Sequence, residues 1–558
     1  MTPEHTDIVV VGSGFGGSVS AYRFAEAGKR VVVLERGKAY PPGGFARTPA
    51  DMGKAFWDPG AGLHGLFDVW SFRGFDSLVS SGLGGGSLIY ANVLLRKDER
   101  WFVNEDPLPG GGYEHWPVTR ADLDPHYDAV EKMLNPSPYP FDSPAYAATP
   151  KTKAMREAAK NLGLDWRLPP LAVSFAPRRG AEPALGLPIV EPEYGNLHGV
   201  PRRTCRLCGE CDIGCNDGAK NTLDHTYLSA AVASGADIRT RSEVVLIRAR
   251  RGGGYEVGYV EHKHGAEGTR TDQGKLAIHR ITCDRLVLAA GTYGTTYLLL
   301  RNIEGLPGLS AALGTRFSGN GDLLTFLLPG NDGRARALEA SRGPVITSAI
   351  RVPDGADDAG EGRGFYVEDG GYPGFTDWLV ESADVTRTLF RTAEFVTRWA
   401  LALLRGWPDN RLGSELSRLL GNGTLSAGSL PLLGMGRDVP DGVMRLRNDL
   451  LDIAWTTETS TDYFARVRDT MRDIAGELGA RYLDNPVWFF RRIITVHPLG
   501  GAPIGRNPEE GVCDAYGEVF GHPGLHVADG AAMPGPVGAN PSLTIAAMAD
   551  RMCTRLLG

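Results

Sequence analysis

The run Asp7-Ile8-Val9-Val10-Val11-Gly12-Ser13-Gly14-Phe15-Gly16-Gly17 is a β-branched segment feeding a G-x-G-x-x-G turn, and Glu35 stands eighteen residues beyond Gly17. This is the chemistry of an adenine dinucleotide site. Gly12 lets the chain turn out of a strand, Gly14 lets the backbone approach a pyrophosphate, and Gly17 lets the next helix pack close to the strand. The free N–H groups at that helix start favour the phosphates. Glu35, ending the run Val31 to Leu34, accepts ribose hydroxyls and repels a 2′-phosphate, so FAD or NAD is favoured over NADP.

A second group is cysteine. Cys205, Cys208, Cys211 and Cys215 crowd into one loop, whereas Cys283, Cys513 and Cys553 are scattered. C-x2-C-x2-C-x3-C is the spacing with which a short loop wraps an iron–sulfur cluster. Against it, Asn216 replaces the usual proline after the fourth ligand, and no second motif is present. Zinc, disulfides and unligated packed thiols are the other readings.

The C-terminal fifth holds a third group. Val496-His497-Pro498-Leu499-Gly500-Gly501 fixes a histidine before a proline, which holds the imidazole in one direction. Asn540-Pro541 likewise sets an amide at the start of a final helix.

The elements that must position these groups follow from pattern. The chain has 558 residues, 42% hydrophobic and 22% charged, enough to bury a large core in two domains. A net charge of −7 with dispersed Arg pairs excludes nucleic acid as the expected partner. The first strand begins at Asp7, leaving no space for a signal peptide, so a cytoplasmic protein is expected. Leu389 to Trp407 reads as an amphipathic helix broken by charges, able to pack on the core or to rest on a membrane surface as a peripheral contact. Ser18 to Ala27 reads as the dinucleotide helix, Glu243 to Ile247 and Arg285 to Gly291 as strands, and Leu123 to Leu134 as a helix. The glycine-dense Ser80 to Ser87 suits a backbone laid against a flat ligand. Aromatic residues from Phe56 to Phe75 supply apolar surface for a bulky substrate.

Taken together, the opening motif, Gly84-Gly85-Gly86-Ser87, Trp116-Pro117, Ala289-Ala290-Gly291-Thr292-Tyr293-Gly294, His497-Pro498-Leu499-Gly500-Gly501, and Asp529-Gly530 with Val537 to Pro541 resemble the glucose–methanol–choline (GMC) oxidoreductases, near their bacterial cholesterol oxidase branch. The resemblance runs in order from residue 7 to residue 555. It implies an α/β fold: a discontinuous Rossmann-like FAD-binding domain (1–98, 195–310 and 485–558), similar to p-hydroxybenzoate hydroxylase, with an inserted α+β substrate-binding domain (99–194 and 311–484). Non-covalent FAD would be held by Gly12, Gly14, Phe15, Gly16, Gly17, Glu35, Gly84, Gly85, Gly86, Ser87, Tyr90, Asn92, Val244, Ala290, Gly291, Asp529, Gly530, Asn540 and Pro541. Where many members carry asparagine or glycine after the G-G-G-S run, this chain has Tyr90-Ala91-Asn92, so contacts at the flavin's reactive edge differ. The cysteine loop resembles that of actinobacterial members of the branch, and related dehydrogenases of the wider family place an iron–sulfur cluster at about this point.

The resemblance also implies roles. His497 and Asn540 would hydrogen-bond a substrate hydroxyl beside flavin N5, with histidine taking the proton as the hydride leaves. Phe365 to Trp378 is similar to the segment that bears a participating glutamate, displaced by one position, which makes Glu368 the candidate. The expected activity is oxidation of a bulky hydrophobic alcohol (steroid, terpenoid or long-chain) with O2 or another electron acceptor. The alternatives are a dehydrogenase passing electrons through a cluster at Cys205 to Cys215 to a quinone or protein, and a lipid-binding flavoprotein without turnover.

Overall fold

The structure is a computed structural model and describes residues 4–109, 111–330, 337–357, 359–372 and 428–558. Its first layer is a seven-stranded sheet. From one edge the strands are Asp237–Arg239, Val31–Leu34, Glu4–Val11, Ile278–Leu288, Tyr255–Glu261 and Ser242–Ala249, and Leu525–Val527 joins Ile278–Leu288 beyond its antiparallel stretch. The strands from Asp237–Arg239 to Ile278–Leu288, with Leu525–Val527, run parallel. Parallel strands are covered on both faces, which is why Val9 to Val11, Val31 to Leu34 and Leu286 to Leu288 are unbroken apolar runs and all buried. Helix Phe15–Glu26 packs beside the final helix Ser542–Leu557, which packs beside Arg120–Leu134.

The return from strand to helix is very tight. A Cβ added at Gly16 would lie 1.4 Å from the Ala528 carbonyl oxygen, so the helix start and the end of Leu525–Val527 touch through backbone alone.

The second layer is a six-stranded antiparallel sheet, ordered Asp165–Arg167, Ala349–Val352, Phe365–Asp369, Leu430–Gly436, Leu323–Pro329 and Ala480–Asp484. Helices Pro150–Leu162 and Thr461–Glu477 pack against it. The Rossmann-like half and the α+β half expected from the sequence are thus both present.

A three-stranded sheet joins them. Ile493–Thr495 pairs in parallel with Phe75–Ser80, which pairs with Phe67–Ser71. Phe75 is fully buried, with ring centroids 4.9 Å from both Phe72 and Phe317 and 5.6 Å from Trp455. Offset and edge contacts of this kind reward rings that meet one another. Their effect is to fix the strand that delivers His497. Leu389 to Trp407 lies outside the described residues. No helix among the described residues is long and apolar enough to cross a membrane.

Gly16→Ala should lower Tm markedly, since overpacking costs about 1 to 3 kcal/mol and no flexible side chain is present to yield. Gly14→Ala is the control, because its methyl would meet nothing within 4 Å. Equal thermal melts for the two variants would contradict this reading of the contact.

Candidate active site

The glycine turn and its partners are knit into one cradle. Ser13 donates through N (3.0 Å) and Oγ (2.6 Å) to Glu35, and its Oγ also accepts from Gly84 N (3.0 Å). Gly85 packs so near that an added Cβ would lie 2.7 Å from Gly14 Cα. Glu35 accepts from Gly37 N as well (2.8 Å), so the carboxylate expected to take ribose hydroxyls first ties the turn together and keeps only its remaining lone pairs for a ribose. Ser242 N donates to Glu35 O (2.8 Å), which brings the strand bearing Val244 alongside; its ladder shifts register between Val244 and Leu246. Gly291 N and Thr295 Oγ1 donate to Asp529 Oδ2, and Ala531 N donates to Oδ1, so Asp529 joins the Ala290–Gly291 turn to the Gly530 turn. Burial pushes the Asp529 carboxyl up to about 6.

The cradle suits a large polar ligand. Helix Phe15–Glu26 starts with no side-chain cap and no acidic residue in its first turn, leaving its N–H groups for an anion. Ser81 Oγ, Tyr90 Oη, both amide atoms of Asn92, Asn540 Oδ1 and Glu368 Oε1 are buried with no partner among the described residues. Such orphans are costly, and their concentration along the Ser81–Asn92 segment and the Asn540 turn fits a dinucleotide with a flat polar ring system. Tyr90 packs edge-on against Phe15 at 5.5 Å, and Asn92 takes a left-handed φ of 72°.

His497 follows the strand Ile493–Thr495. Its Nδ1 lies 2.8 Å from Asp322 Oδ1, and Asp322 is fully buried. Asp322 Oδ2 also accepts from Thr495 Oγ1 (3.0 Å), Val496 N (2.8 Å) and His497 N (3.2 Å). A carboxylate only accepts, so Nδ1 carries the hydrogen, and in the neutral imidazole Nε2 is then the nitrogen with the lone pair. Two residues earlier, Asn320 accepts from Gly538 N (2.8 Å) and donates to Ala539 O (3.0 Å). One buried turn therefore holds both the histidine loop and the loop ending in Asn540. Neither Asn320 nor Asp322 was singled out in the sequence; a polar G-N-G-D turn entering an apolar strand was the available signal.

Asn540 precedes the final helix, with Pro541 as its cap. Its Nδ2 donates to Glu368 Oε2 at 3.3 Å. Glu368 sits on Phe365–Asp369, every residue of which is buried. Burial pushes its carboxyl up to about 8, against the Asn540 hydrogen bond that lowers it, with Asp369 and Asp322 adding repulsion. At pH 7 it is a neutral acid.

The four clustered cysteines line one pocket together with Lys220, and none of the seven cysteines is in a disulfide. Another titratable trio, His198, Asp224 and His225, also converges, but His198 Nε2 and Asp224 Oδ2 are spent on each other at 2.7 Å.

Residues 195–306 and 466–549 match sequence models described as GMC oxidoreductase, and residues 10–72 match one described as an NAD(P)-binding Rossmann-like domain. A cholesterol oxidase of Mycobacterium tuberculosis is 32% identical, the alignment covering 99% of this chain and 91% of the relative. A cholesterol oxidase of Acinetobacter baumannii is 28% identical (98% and 93%), and a 2-methyl-1,2-propanediol dehydrogenase of Mycolicibacterium austroafricanum is 24% identical (98% and 94%).

Two outcomes follow. Asp322→Asn keeps the shape but not the acceptor pattern, so the rate of flavin reduction by an alcohol should fall by about 10²-fold or more while flavin is retained; an unchanged rate would remove Asp322 from the account. Glu368 keeps its proton to about pH 8 when folded, whereas a free glutamate carboxyl ordinarily titrates near 4.5. Unfolding between those values releases a proton, so this residue makes stability fall as pH rises, by about 1.4 kcal/mol per unit. Glu368→Gln should therefore raise Tm relative to wild type by a margin that grows from about pH 5 to about pH 8. A margin independent of pH would contradict it.

Proposed function

The chain belongs to the GMC oxidoreductases, near the cholesterol oxidase branch, and we propose that it oxidises a bulky hydrophobic secondary or primary alcohol, a sterol first among them, to the carbonyl. FAD, when bound, supplies the hydride acceptor. Gly12 to Gly17 and Glu35 would hold its pyrophosphate and ribose, and the Gly84–Asn92 segment its ring. The remaining chemistry belongs to the chain's own side chains.

His497 accepts the hydroxyl proton at Nε2. Asp322 keeps that nitrogen in the acceptor tautomer and stabilises the imidazolium that forms, as a fixed carboxylate does for a catalytic histidine. Asn540 has a second Nδ2 hydrogen beyond the one given to Glu368, and it supports the substrate oxygen as negative charge develops there. Glu368, held neutral, leaves no bare charge beside an apolar substrate and offers its own O–H as a donor. The observation that carries the reading is the His497–Asp322 contact at 2.8 Å, because it fixes which ring nitrogen is free.

Support for a hydrophobic substrate comes from the complete burial of Glu368 and from the names of the two cholesterol oxidase relatives. O2 is the proposed acceptor. A second reading, a dehydrogenase that hands two electrons and two protons to a quinone, is favoured by the pocket lined by four thiols.

The test is anaerobic mixing of the flavin-loaded protein with cholesterol and with long-chain alcohols. Wild type should lose its flavin absorption, and His497→Ala should keep FAD but reduce at under about 1% of that rate. A flavin that no alcohol bleaches would leave a lipid-binding flavoprotein; wild-type rates in the variant would refute the histidine's role.

A further inference from the structure

We propose that Lys97 is a positioning residue for Asn540: its ammonium fixes the backbone of Pro536 and Val537, and through them the place of the Asn540 amide. The inference rests on the reading of Asn540 as the group that supports the substrate oxygen.

The segment Gly535-Pro536-Val537-Gly538-Ala539 leads into Asn540 and carries no side chain able to hydrogen-bond. It is buried throughout. A Cβ added at Gly535 would lie 2.7 Å from Glu114 Oε1, and one at Gly538 2.5 Å from Trp101 Cε3. Such a segment cannot anchor itself, so its buried backbone groups must find partners that reach in from elsewhere. Asn320 holds one half, at Gly538 N and Ala539 O. Lys97 holds the other: its Nζ donates to Pro536 O (2.8 Å) and to Val537 O (3.2 Å). Four consecutive residues before Asn540 are thereby fixed.

Lysine suits this task. Two successive carbonyls that turn toward one point bring like partial charges together, and an ammonium meets them with a compact cation and three donors on a single atom. Lys97 is fully buried, with Nζ 4.2 Å from the ring centroid of Trp116 and 5.4 Å from that of Phe102. Aromatic faces stabilise a cation placed over them. These two rings are themselves set edge to face at 5.5 Å, and Trp116 Nε1 donates to Glu114 Oε1 (3.3 Å). The backbone of Lys97 is tied down as well, because its carbonyl accepts from Nη1 of Arg120 (3.0 Å), the first residue of the helix Arg120–Leu134 that packs beside the final helix. Countercharge comes at longer range from Glu114, Asp98 and Asp354, with Arg437 opposing. Among the described residues no carboxylate accepts a hydrogen bond from Nζ, so both of its hydrogen bonds serve the loop before Asn540.

The test compares Lys97→Met, Asn540→Ala and the double variant, each flavin-loaded and mixed anaerobically with cholesterol. Lys97→Met should lower the limiting rate of flavin reduction by about 10- to 100-fold, the scale of a misplacement by an ångström. The apparent Kd for cholesterol should change by less than about threefold, since the apolar body supplies most of the binding. In the Asn540→Ala background the same substitution should alter the rate by less than about twofold, because residues that act as one unit are not additive. An equal loss in both backgrounds, or no loss in Lys97→Met, would overturn the proposal. A normal rate in Asn540→Ala would overturn it together with the reading of Asn540. A crystal structure of Lys97→Met needs no turnover and decides the matter even where cholesterol is not oxidised. It should show Asn540 Nδ2 more than about 3.5 Å from Glu368 Oε2, out of hydrogen-bond reach; an unmoved Asn540 amide would contradict the proposal. Lys97→Gln carries no charge and keeps a donor for one carbonyl, so it serves both measurements if the Met variant loses its fold, with a smaller loss that again vanishes in Asn540→Ala.

Discussion

The proposed active site depends on one buried carboxylate. Asp322 accepts four hydrogen bonds from Thr495, Val496 and His497, and through them it determines where the imidazole points and which nitrogen is basic. A lone carboxylate out of water would be destabilising; this one is satisfied by donors from a single strand end, so its burial becomes a device for orientation. Asn320, in the same turn, grips the Gly538–Ala539 backbone before Asn540. Segments separated by more than two hundred residues meet in this way at one place. Beneath them, Phe72, Phe75, Phe317 and Trp455 form a packed layer that keeps the Ile493–Thr495 strand from shifting.

Glu368 and Asp369 show how neighbouring residues acquire different chemistry. Successive residues of a strand face opposite sides of the sheet. Asp369 faces Lys151 (3.4 Å) and accepts from Thr347 and Ser348, so it is a paired, structural charge. Among the described residues the Glu368 side chain hydrogen-bonds only the Asn540 amide, and one of its oxygens has no partner. Without a cation it remains protonated near neutrality, and a protonated acid can donate where an ionised one cannot. The pairing pattern of the sheet thus separates a scaffold carboxylate from the one proposed to take part in the reaction.

How much of this was legible in the sequence depended on how local the physics is. The dinucleotide turn was readable because strand, glycines, helix and Glu35 act within one βαβ unit. The cysteine spacing was equally local, but whether the thiols share one pocket required the folded loop. His497, Asn540 and Glu368 came from likeness to a family, since nothing near them in the chain reveals their common location. Asp322 was missed because an aspartate in a glycine turn is ordinary until its partner, 175 residues away, is known. Composition showed that the aromatic stretch would be buried, not that Phe75 would meet Phe72, Phe317 and Trp455.

The central claim is that His497 Nε2 and the Asn540 amide converge on one substrate oxygen. A crystal structure of the flavin-loaded protein with a bound carbonyl product tests it most directly. The account predicts the product oxygen within about 3 Å of both groups, with Asp322 still on Nδ1. A product oxygen engaged by other side chains, or an imidazole turned so that Nδ1 faces the flavin, would contradict it.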